Sequence, residues 1–210
     1  MNPRYTPYDV VLLCHRNSGS AWVDVMIRAL GHSIKKTLNS YDHTDRLLHF
    51  TYTPVLLYLR RNPYDTYASA IKKRFKYVNF KLRRERVRDT PETIVKHHIM
   101  ALEIARCFPN FVLFEYEKLR SPGGFEYFHK VFPKMTPEIW DEYSYDNMKA
   151  NPFDIKFGKP FYFKMDKKLN GGWVGQGKDF LRKPQLERLH NAMEKHDYWN
   201  KMKELDDLVL

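Results

Sequence analysis

Short apolar runs alternate along the chain with longer stretches in which apolar residues recur at helical spacing. The apolar runs have the length and composition of buried strands, and they cover residues 10–13, 54–59 and 110–116. Helical spacing follows in residues 21–30, from Asn62-Pro63 onward, and in residues 91–107, 122–132 and 183–202. Strands that alternate with helices predict an α/β fold. We expect a P-loop-like, three-layer arrangement in which a central parallel sheet is flanked by helices.

The composition is that of a globular domain, and we expect residues 1–210 to form a single one. Of the 210 residues, 43% are apolar and 15% are aromatic, which is enough to build a core. No apolar run approaches the roughly 18–20 residues of a membrane span, and the first residues lack the apolar segment of a signal peptide. Cys14 and Cys107 make neither a disulfide framework nor a metal site. These features predict a cytoplasmic protein.

The formal net charge of +11 indicates an anionic partner, such as a nucleic acid, an acidic membrane surface or a polyanionic small molecule. The densest basic run is KKRFKYVNFKLRRERVR, residues 72–88. Such a run is either a solvated surface or an electrostatic funnel that steers an anionic substrate. It also leaves open a nucleic-acid-binding module, whose affinity would fall steeply with salt.

The first apolar run leads into a short turn that has the features of an anion site. Ser18, Gly19 and Ser20 stand between this strand and the next helix, where backbone N–H groups and the positive end of the helix dipole meet. An ordinary strand-to-helix turn has the same composition, so the motif alone is a weak signal. No Gly-Lys-Ser/Thr follows, which argues against a triphosphate and against a magnesium-dependent phosphotransferase.

A second strand, turn and helix are predicted by YLRRNPYDTYASA, residues 58–70. Arg61 stands at the strand end and Ser69 lies two turns into the helix, so a guanidinium and a hydroxyl are available to clasp a second phosphate. The alternative is a structural ion pair of Arg61 with Asp65 and a solvated Ser69.

Five motifs, in the same order, resemble those of the sulfotransferases that use 3′-phosphoadenosine 5′-phosphosulfate (PAPS), and the cytosolic branch is the most similar. The family's Pro-Lys-Ser-Gly-Thr-Thr-Trp loop is similar to residues 16–22, and its Arg-Asn-Pro-x-Asp-x-x-x-Ser motif stands intact at residues 61–69. Its Phe-x-Tyr-Glu-x-Leu and Ser-Phe-x-x-Met-Lys-x-Asn-Pro motifs resemble residues 114–119 and 144–152. Its Gly-x-Val-Gly-Asp-Trp-Lys-x-x-Phe-Thr-x-x-Gln-x-Glu-Arg-Phe segment resembles residues 172–189, without a gap. The resemblance implies transfer of a sulfuryl group from PAPS to a hydroxyl or an amine, with 3′,5′-bisphosphoadenosine (PAP) as the product.

The resemblance also implies which residues hold the donor. The 5′-phosphosulfate would be held largely by backbone N–H groups of the first loop, from Asn17, Ser18, Gly19, Ser20 and Ala21. Trp22 and Tyr116 would line the adenine, although each residue taken alone is more typical of core packing. The 3′-phosphate would be held by Arg61, Ser69, Lys168, Gly171 and Gly172. No metal is required by this chemistry.

Three positions depart from the family's motifs. The family's loop lysine, which neutralises the leaving phosphosulfate, falls on Asn17, so we expect the neighbouring Arg16 to supply the charge. The family's Arg-Lys-Gly that grips the 3′-phosphate falls on residues 170–172, which leaves Lys167 or Lys168 as the cation. The tryptophan of the last motif falls on Gly177.

Sulfuryl transfer needs a base that takes the proton of the acceptor. In the family this base is a histidine between the first helix and the second anion motif, where this chain has His32, His43 and His49. His43 stands in a polar turn, SYDHTD, and is the favoured candidate. His49 has apolar neighbours, and His32 directly follows the helix-ending Gly31.

Other interpretations stay open at this point. The chain would be a catalytically impaired nucleotide-binding protein if turnover had been lost along with the loop lysine. A basic nucleic-acid-binding module built on residues 72–88 is the other alternative. The favoured partner is a polar or anionic acceptor, either a small molecule, a glycan or a peptide, and nucleic acid is disfavoured.

If His43 is the base, the His43→Ala substitution should lower turnover by roughly 10²–10⁴-fold. Binding of PAP should be almost unchanged, because a base that serves the acceptor does not contact the nucleotide. Turnover of the unmodified protein should rise with pH through about 6.5, the ordinary imidazole pKa. Full activity of the variant with a competent acceptor would move the role to another histidine, with His49 as the next to test.

Overall fold

Four parallel strands form the centre of the fold. The computed structural model of the protein describes residues 8–15, 18–38, 52–76, 90–150 and 174–209. The strands are β1 (Val10–Cys14), β2 (Ile34–Leu38), β3 (Val55–Arg60) and β4 (Phe111–Glu115). Their order in the sheet is β2-β1-β3-β4, and every neighbouring pair is parallel. The three strands predicted from apolar runs are confirmed, whereas β2 was missed because its sequence, IKKTL, contains no such run.

Ten helices occur in the described ranges and connect or cover these strands. Their bounds are α1 (Ser20–Ala29), α2 (Pro63–Lys76), α3 (Pro91–Cys107), α4 (Tyr116–Leu119), α5 (Gly124–His129), α6 (Pro137–Glu142), α7 (Tyr145–Ala150), α8 (Gly177–Phe180), α9 (Lys183–Lys195) and α10 (Tyr198–Val209). The start of α3 follows from local chemistry. The Thr90 side chain caps the helix by accepting the N–H of Thr93, and Pro91 occupies the first turn.

Two sequence predictions are corrected by these bounds. The last helix was predicted as one element over residues 183–202, but α9 and α10 are separate. Asp197 between them adopts a left-handed backbone with φ of 50°, which an α-helix cannot continue through. The third strand was predicted to reach Tyr116, but β4 ends at Glu115 and Tyr116 begins the short helix α4.

Alternate residues of the strands face two different helical layers. Val10, Leu12 and Cys14 pack with α1 and with α5 to α7, whereas Val11 and Leu13 pack with α2, α3, α9 and α10. All five of these side chains are buried, as expected of a parallel sheet that is covered on both faces. The predicted α/β class and three-layer arrangement are therefore confirmed. The single domain over residues 1–210 stays a prediction.

Among the helices of the described ranges, none combines the length and apolarity needed to span a bilayer.

The second layer contains a buried polar cluster. His97 and His98 lie on α3 and are 4% and 1% exposed. The Tyr58 hydroxyl lies 3.1 Å from Nδ1 of His97, and the Tyr198 hydroxyl lies 2.8 Å from Nδ1 of His98. The ring of His15 stands edge-on to that of His97, with centroids 5.4 Å apart. Burial lowers the pKa of His98 to about 3 and the pKa of His97 well below its ordinary value, so both rings stay neutral in the folded protein.

This cluster makes stability depend on pH. In the unfolded chain both histidines take up protons below about pH 6.5, whereas in the folded protein they do not. Stability should be full above pH 6.5 and should fall as the pH drops from 6.5 to 5. The expected slope is at most about 1.4 kcal/mol per pH unit for each histidine.

Urea unfolding at pH 7, 6 and 5 measures this slope of the free energy of unfolding against pH. The His98→Gln substitution should reduce it by about half, and an unchanged slope would contradict the assignment.

Candidate functional site

The sheet register brings three sequence motifs to one edge. Cys14 at the end of β1 pairs with Leu59 of β3, and Arg60 at the end of β3 pairs with Glu115 at the end of β4. The chain therefore leaves all three strands at the same carboxyl edge. After β1 the chain connects to β2 on one side of β1, and after β3 it connects to β4 on the far side of β3. The topological switch point therefore lies between the carboxyl ends of β1 and β3. Ligands of open α/β sheets bind at such points.

The turn after β1 is closed by its own backbone. The N–H and the hydroxyl of Ser18 both donate to the carbonyl oxygen of His15, at 3.3 and 2.7 Å. Gly19 follows with φ of 91° and caps α1, and its carbonyl oxygen accepts the N–H of Trp22. The first N–H groups of a helix have no intrahelical acceptors, and they lie at the positive end of its dipole. The turn therefore presents donors and positive potential at the carboxyl edge.

The ring of Tyr116 fills the space beside this turn. A Cβ atom on Gly19 would lie far inside van der Waals contact with the Tyr116 ring, so only glycine fits there. The guanidinium carbon of Arg61 lies 4.6 Å from the centroid of the same ring, a cation–π distance. Tyr116 thus contacts both motifs that were predicted to hold anions. Burial raises the pKa of its phenol to about 12.

The two adjacent arginines at the end of β3 have different surroundings. Arg60 donates to the carboxylates of Glu115 and Asp206, at 2.6 Å each, and so ties the sheet to α10. Arg61 is 3% exposed and lies against Tyr116. A guanidinium that is buried at a strand end is a strong attractor for an anion that enters the site. The sequence prediction selected Arg61 of the two, and the structure places it beside the first turn.

Two carboxylates, the half-buried Glu117 and the wholly buried Asp65, hold the corner that contains Arg61. Glu117 accepts the N–H of Asn62 at 2.8 Å, and the side-chain oxygen of Asn62 accepts the N–H of Tyr64 at 2.9 Å. Burial raises the pKa of Glu117, while the hydrogen bond from Asn62 and the charge of Arg61 limit that rise. Asp65, wholly buried, accepts backbone N–H groups of residues 175 and 177. Sequence analysis offered Asp65 as a partner of Arg61 and missed these backbone contacts.

Both predicted adenine residues lie in the core. Trp22 and Tyr116 are each 1% exposed. The Trp22 ring contacts the rings of Tyr116, Tyr145 and Trp140 at centroid distances of 6.1, 5.8 and 6.1 Å. Its indole N–H donates to the carbonyl oxygen of Tyr143 at 2.9 Å. An adenine that stacks on either residue has to displace one of these aromatic neighbours, and the adenine role stays a prediction.

The remaining predicted residues divide into two groups. Ser18, Ser20 and Ser69 are buried near the two corners, at 1%, 7% and 4% exposure, and Ala21 is partly exposed. Outside the described residues lie Arg16, Asn17, His43, Lys168, Gly171 and Gly172. Their roles stay predictions. The alternative base His49 also lies outside the described residues.

His32 is separated from this site by the length of the sheet. His32 comes just before β2, and its Nδ1 lies 3.9 Å from the Asp9 carboxylate. The next residue, Ser33, accepts the N–H of Val10 through its carbonyl oxygen. The amino ends of β1 and β2 meet there. A five-residue strand spans about 16 Å, so His32 is not positioned to act at the carboxyl edge.

Comparison with known proteins places the fold among known ones. No protein-family model matches the chain, and no curated protein matches its sequence. Among solved structures, the chain is similar to one described as the crystal structure of mouse sulfotransferase SULT7A1 complexed with PAP. The TM-score is 0.69 at 14% sequence identity, and the match covers 94% of this chain and 87% of that one. The protein therefore has the P-loop-like α/β fold of a sulfotransferase. In the described residues, no group of histidine, cysteine and acidic side chains is arranged to hold a metal ion.

Sequence reasoning missed the contacts by which Glu117 and Gly177 hold the backbone around Arg61 and the start of α2. Glu117 stands in the Phe-x-Tyr-Glu-x-Leu motif, but only the parallel register of β3 and β4 shows that it reaches Asn62. Gly177 was noted as a departure from the family. The structure supplies the reason, because a Cβ there would lie 2.5 Å from backbone atoms of Tyr64 and Asp65.

The contact between Gly19 and Tyr116 can be tested with a matched pair of substitutions. Gly31 also has a positive φ, 80°, but nothing lies within 4 Å of a Cβ there. Gly31→Ala should therefore cost only the left-handed backbone term of about 1–2 kcal/mol. Gly19→Ala should cost about 1–3 kcal/mol more, because the methyl group overpacks against the ring. The free energies of unfolding in denaturant measure both, and equal losses would show that Tyr116 does not restrict Gly19.

Proposed function

We propose that the protein is a sulfotransferase that moves a sulfuryl group from PAPS to a hydroxyl or an amine and releases PAP. One observation supports this most strongly. The two predicted anion corners, one at the start of α1 and one at Arg61, both contact the Tyr116 ring at the sheet's switch point. PAPS has two separate anionic ends, so two corners of this kind suit it better than they suit a mononucleotide with one phosphate group. The fold that the chain shares with a PAP-bound sulfotransferase supports the same proposal.

The 5′ end of the donor would lie at the first turn. Backbone N–H groups of Gly19, Ser20 and Ala21 would donate to its phosphate oxygens, because Gly19 opens α1 in a left-handed conformation and the first turn of a helix has unsatisfied donors. Ser18, whose N–H and hydroxyl donate to the carbonyl oxygen of His15, would hold the shape of this turn. The Tyr116 ring leaves no room for a side chain on Gly19, so the backbone itself forms this wall of the site.

The 3′-phosphate would lie at the second corner. Arg61 would supply a forked guanidinium, and the hydroxyl of Ser69, from α2, would add a further donor. Both side chains are nearly inaccessible to water, which strengthens their attraction for a phosphate. In this proposal Lys168, Gly171 and Gly172 complete the same subsite.

PAPS supplies a sulfuryl group that is bonded to a good leaving group, the phosphate of PAP. The chain has to remove the acceptor's proton and neutralise the charge that grows on the leaving phosphate. We assign the first task to His43 and the second to Arg16 together with the N–H groups of the first turn. Interactions that strengthen as this charge develops lower the barrier, whereas equal binding of donor and transition state does not.

A catalytically impaired nucleotide-binding protein is the second candidate, and one observation favours it. Asn17 stands where the family has its loop lysine, so the leaving phosphate has one cation fewer next to the turn. A sulfation assay over hydroxyl and amine acceptors, run beside a binding assay, separates the two candidates. Tight PAP binding without sulfation of any acceptor would favour the second.

The preference for PAP over AMP or ADP tests whether the site has two phosphate corners, which both candidate functions require. PAP should stabilise the protein more than AMP or ADP, because only PAP engages both corners. At a hundredfold excess over its dissociation constant, a ligand contributes about 2.7 kcal/mol, which raises the melting temperature by roughly 5–10 °C for a chain of this size. Equal shifts with PAP and AMP would refute the two-corner site.

Two arginine substitutions test whether Arg61 binds the 3′-phosphate, when PAP and AMP affinities are compared in each variant. Arg61→Ala should weaken PAP binding by about 1.5–3 kcal/mol and leave AMP binding nearly unchanged. Arg60→Ala removes the neighbouring guanidinium, which bonds Glu115 and Asp206, and should lower stability without changing the ratio of PAP to AMP affinity. A similar loss for both ligands in the Arg61 variant would make Arg61 a structural residue.

A further inference from the structure

Asp65 joins two segments that are far apart in the sequence. Its side chain is wholly buried in the first turn of α2. One carboxylate oxygen accepts the N–H of Gly175 at 2.8 Å, and the other accepts the N–H of Gly177 at 2.6 Å. Both bonds are charge-assisted and therefore stronger than bonds between neutral groups. We call this pair of bonds the Asp65 latch.

The backbone around the latch is shaped to accept it. Gly175 has φ of 76°, in the left-handed region that favours glycine. At Gly177, a Cβ would lie 2.5 Å from backbone atoms of both Tyr64 and Asp65. The backbone at residue 177 therefore rests directly on the first turn of α2, which no other residue type would allow.

The latch acts on the same corner that contains the proposed 3′-phosphate residues. Arg61 precedes α2, and Ser69 lies one turn after Asp65 on that helix. From the opposite direction, Glu117 holds the N–H of Asn62. The corner is thus held by two carboxylates: the half-buried Glu117 of α4 bonds Asn62, and the wholly buried Asp65 bonds the segment before α8.

The latch residues also stand close in the sequence to a predicted part of the subsite. Gly171 and Gly172, which the proposed function assigns to the 3′-phosphate, come four and three positions before Gly175.

We infer that Asp65 is a positioning residue for the 3′-phosphate subsite, which it assembles by fastening residues 175–177 onto the corner that bears Arg61 and Ser69. This inference rests on the proposed function, because it presumes that the corner binds the 3′-phosphate. Asp65 makes its contacts with backbone N–H groups and acts on the ligand through its neighbours.

The Asp65→Asn substitution tests the inference while keeping the size of the side chain. The amide retains one acceptor oxygen, but its NH₂ group faces a backbone N–H, so one of the two bonds is lost. PAP affinity should fall about tenfold, whereas AMP affinity should change less than twofold. Amide hydrogen exchange at Gly175 and Gly177 should become faster. Asp179→Asn, an exposed position on α8 with the same change in charge, should alter none of these quantities.

A second variant keeps the test decisive if Asp65→Asn does not fold. Gly175→Ala strains the latch from the other segment without changing α2, because nothing lies within 4 Å of a Cβ there. It should reduce the ratio of PAP to AMP affinity in the same direction. Binding is measured well below the melting temperature of each variant.

The outcomes that overturn the inference are distinct. If faster amide exchange leaves the PAP to AMP ratio unchanged, Asp65 only stabilises the fold. If PAP and AMP affinities fall equally, the substitution weakens the whole nucleotide site and the positioning role at the 3′-phosphate subsite is refuted. If the unmodified protein does not prefer PAP to AMP, the proposed function fails and the positioning role fails with it, whereas slow exchange at Gly175 and Gly177 would still identify the latch as a structural contact.

Discussion

The contact of the Tyr116 ring with both Gly19 and Arg61 is the constraint on which the candidate site depends. The ring excludes any side chain at Gly19 and lies within cation–π distance of the Arg61 guanidinium. It thereby joins a strand-to-helix turn and a buried cation at one edge of the sheet. The ring owes this position to the end of β4, where the chain turns from strand into the short helix α4.

Buried charge is distributed around this ring in a way that favours an anionic ligand. Arg61 supplies a cation that is removed from water, and Glu117 and Asp65 direct their oxygens to backbone N–H groups. A carboxylate satisfied by N–H donors holds the backbone in place. These two carboxylates therefore fasten the backbone next to Arg61. This arrangement supports a ligand with a phosphate at that corner, as the sulfotransferase proposal requires.

The opposite face of the sheet stabilises the same edge by other means. Arg60 bonds Glu115 and Asp206 and so fixes the end of β3 against α10. His97 and His98 stay neutral among aromatic hydroxyls beneath the first turn. Consecutive residues Arg60 and Arg61 thus have different tasks, because successive side chains at the end of a strand point to opposite faces. The structural neighbour shares this fold at 14% identity, which is consistent with a layout set by packing.

Much of the fold could be predicted from the sequence, because its signals are local. Apolar runs identified β1, β3 and β4, and the Thr90 cap with Pro91 identified the start of α3. The strand-turn-helix pattern and the arginine next to the end of β3 also led to the prediction of two anion corners. By contrast, β2 has two lysines at adjacent positions and no apolar run, so only its pairing with β1 reveals it.

The sequence by itself determined the α/β class and most of its elements, since hydrophobic period, turn residues and charge act over a few residues. Only the tertiary structure decided that Tyr116 contacts both Gly19 and Arg61, that Asp65 holds residues 175 and 177, and that Gly177 admits no side chain. These contacts join residues separated by up to 112 positions. They arise from strand register and close backbone packing, which no local pattern of residues encodes.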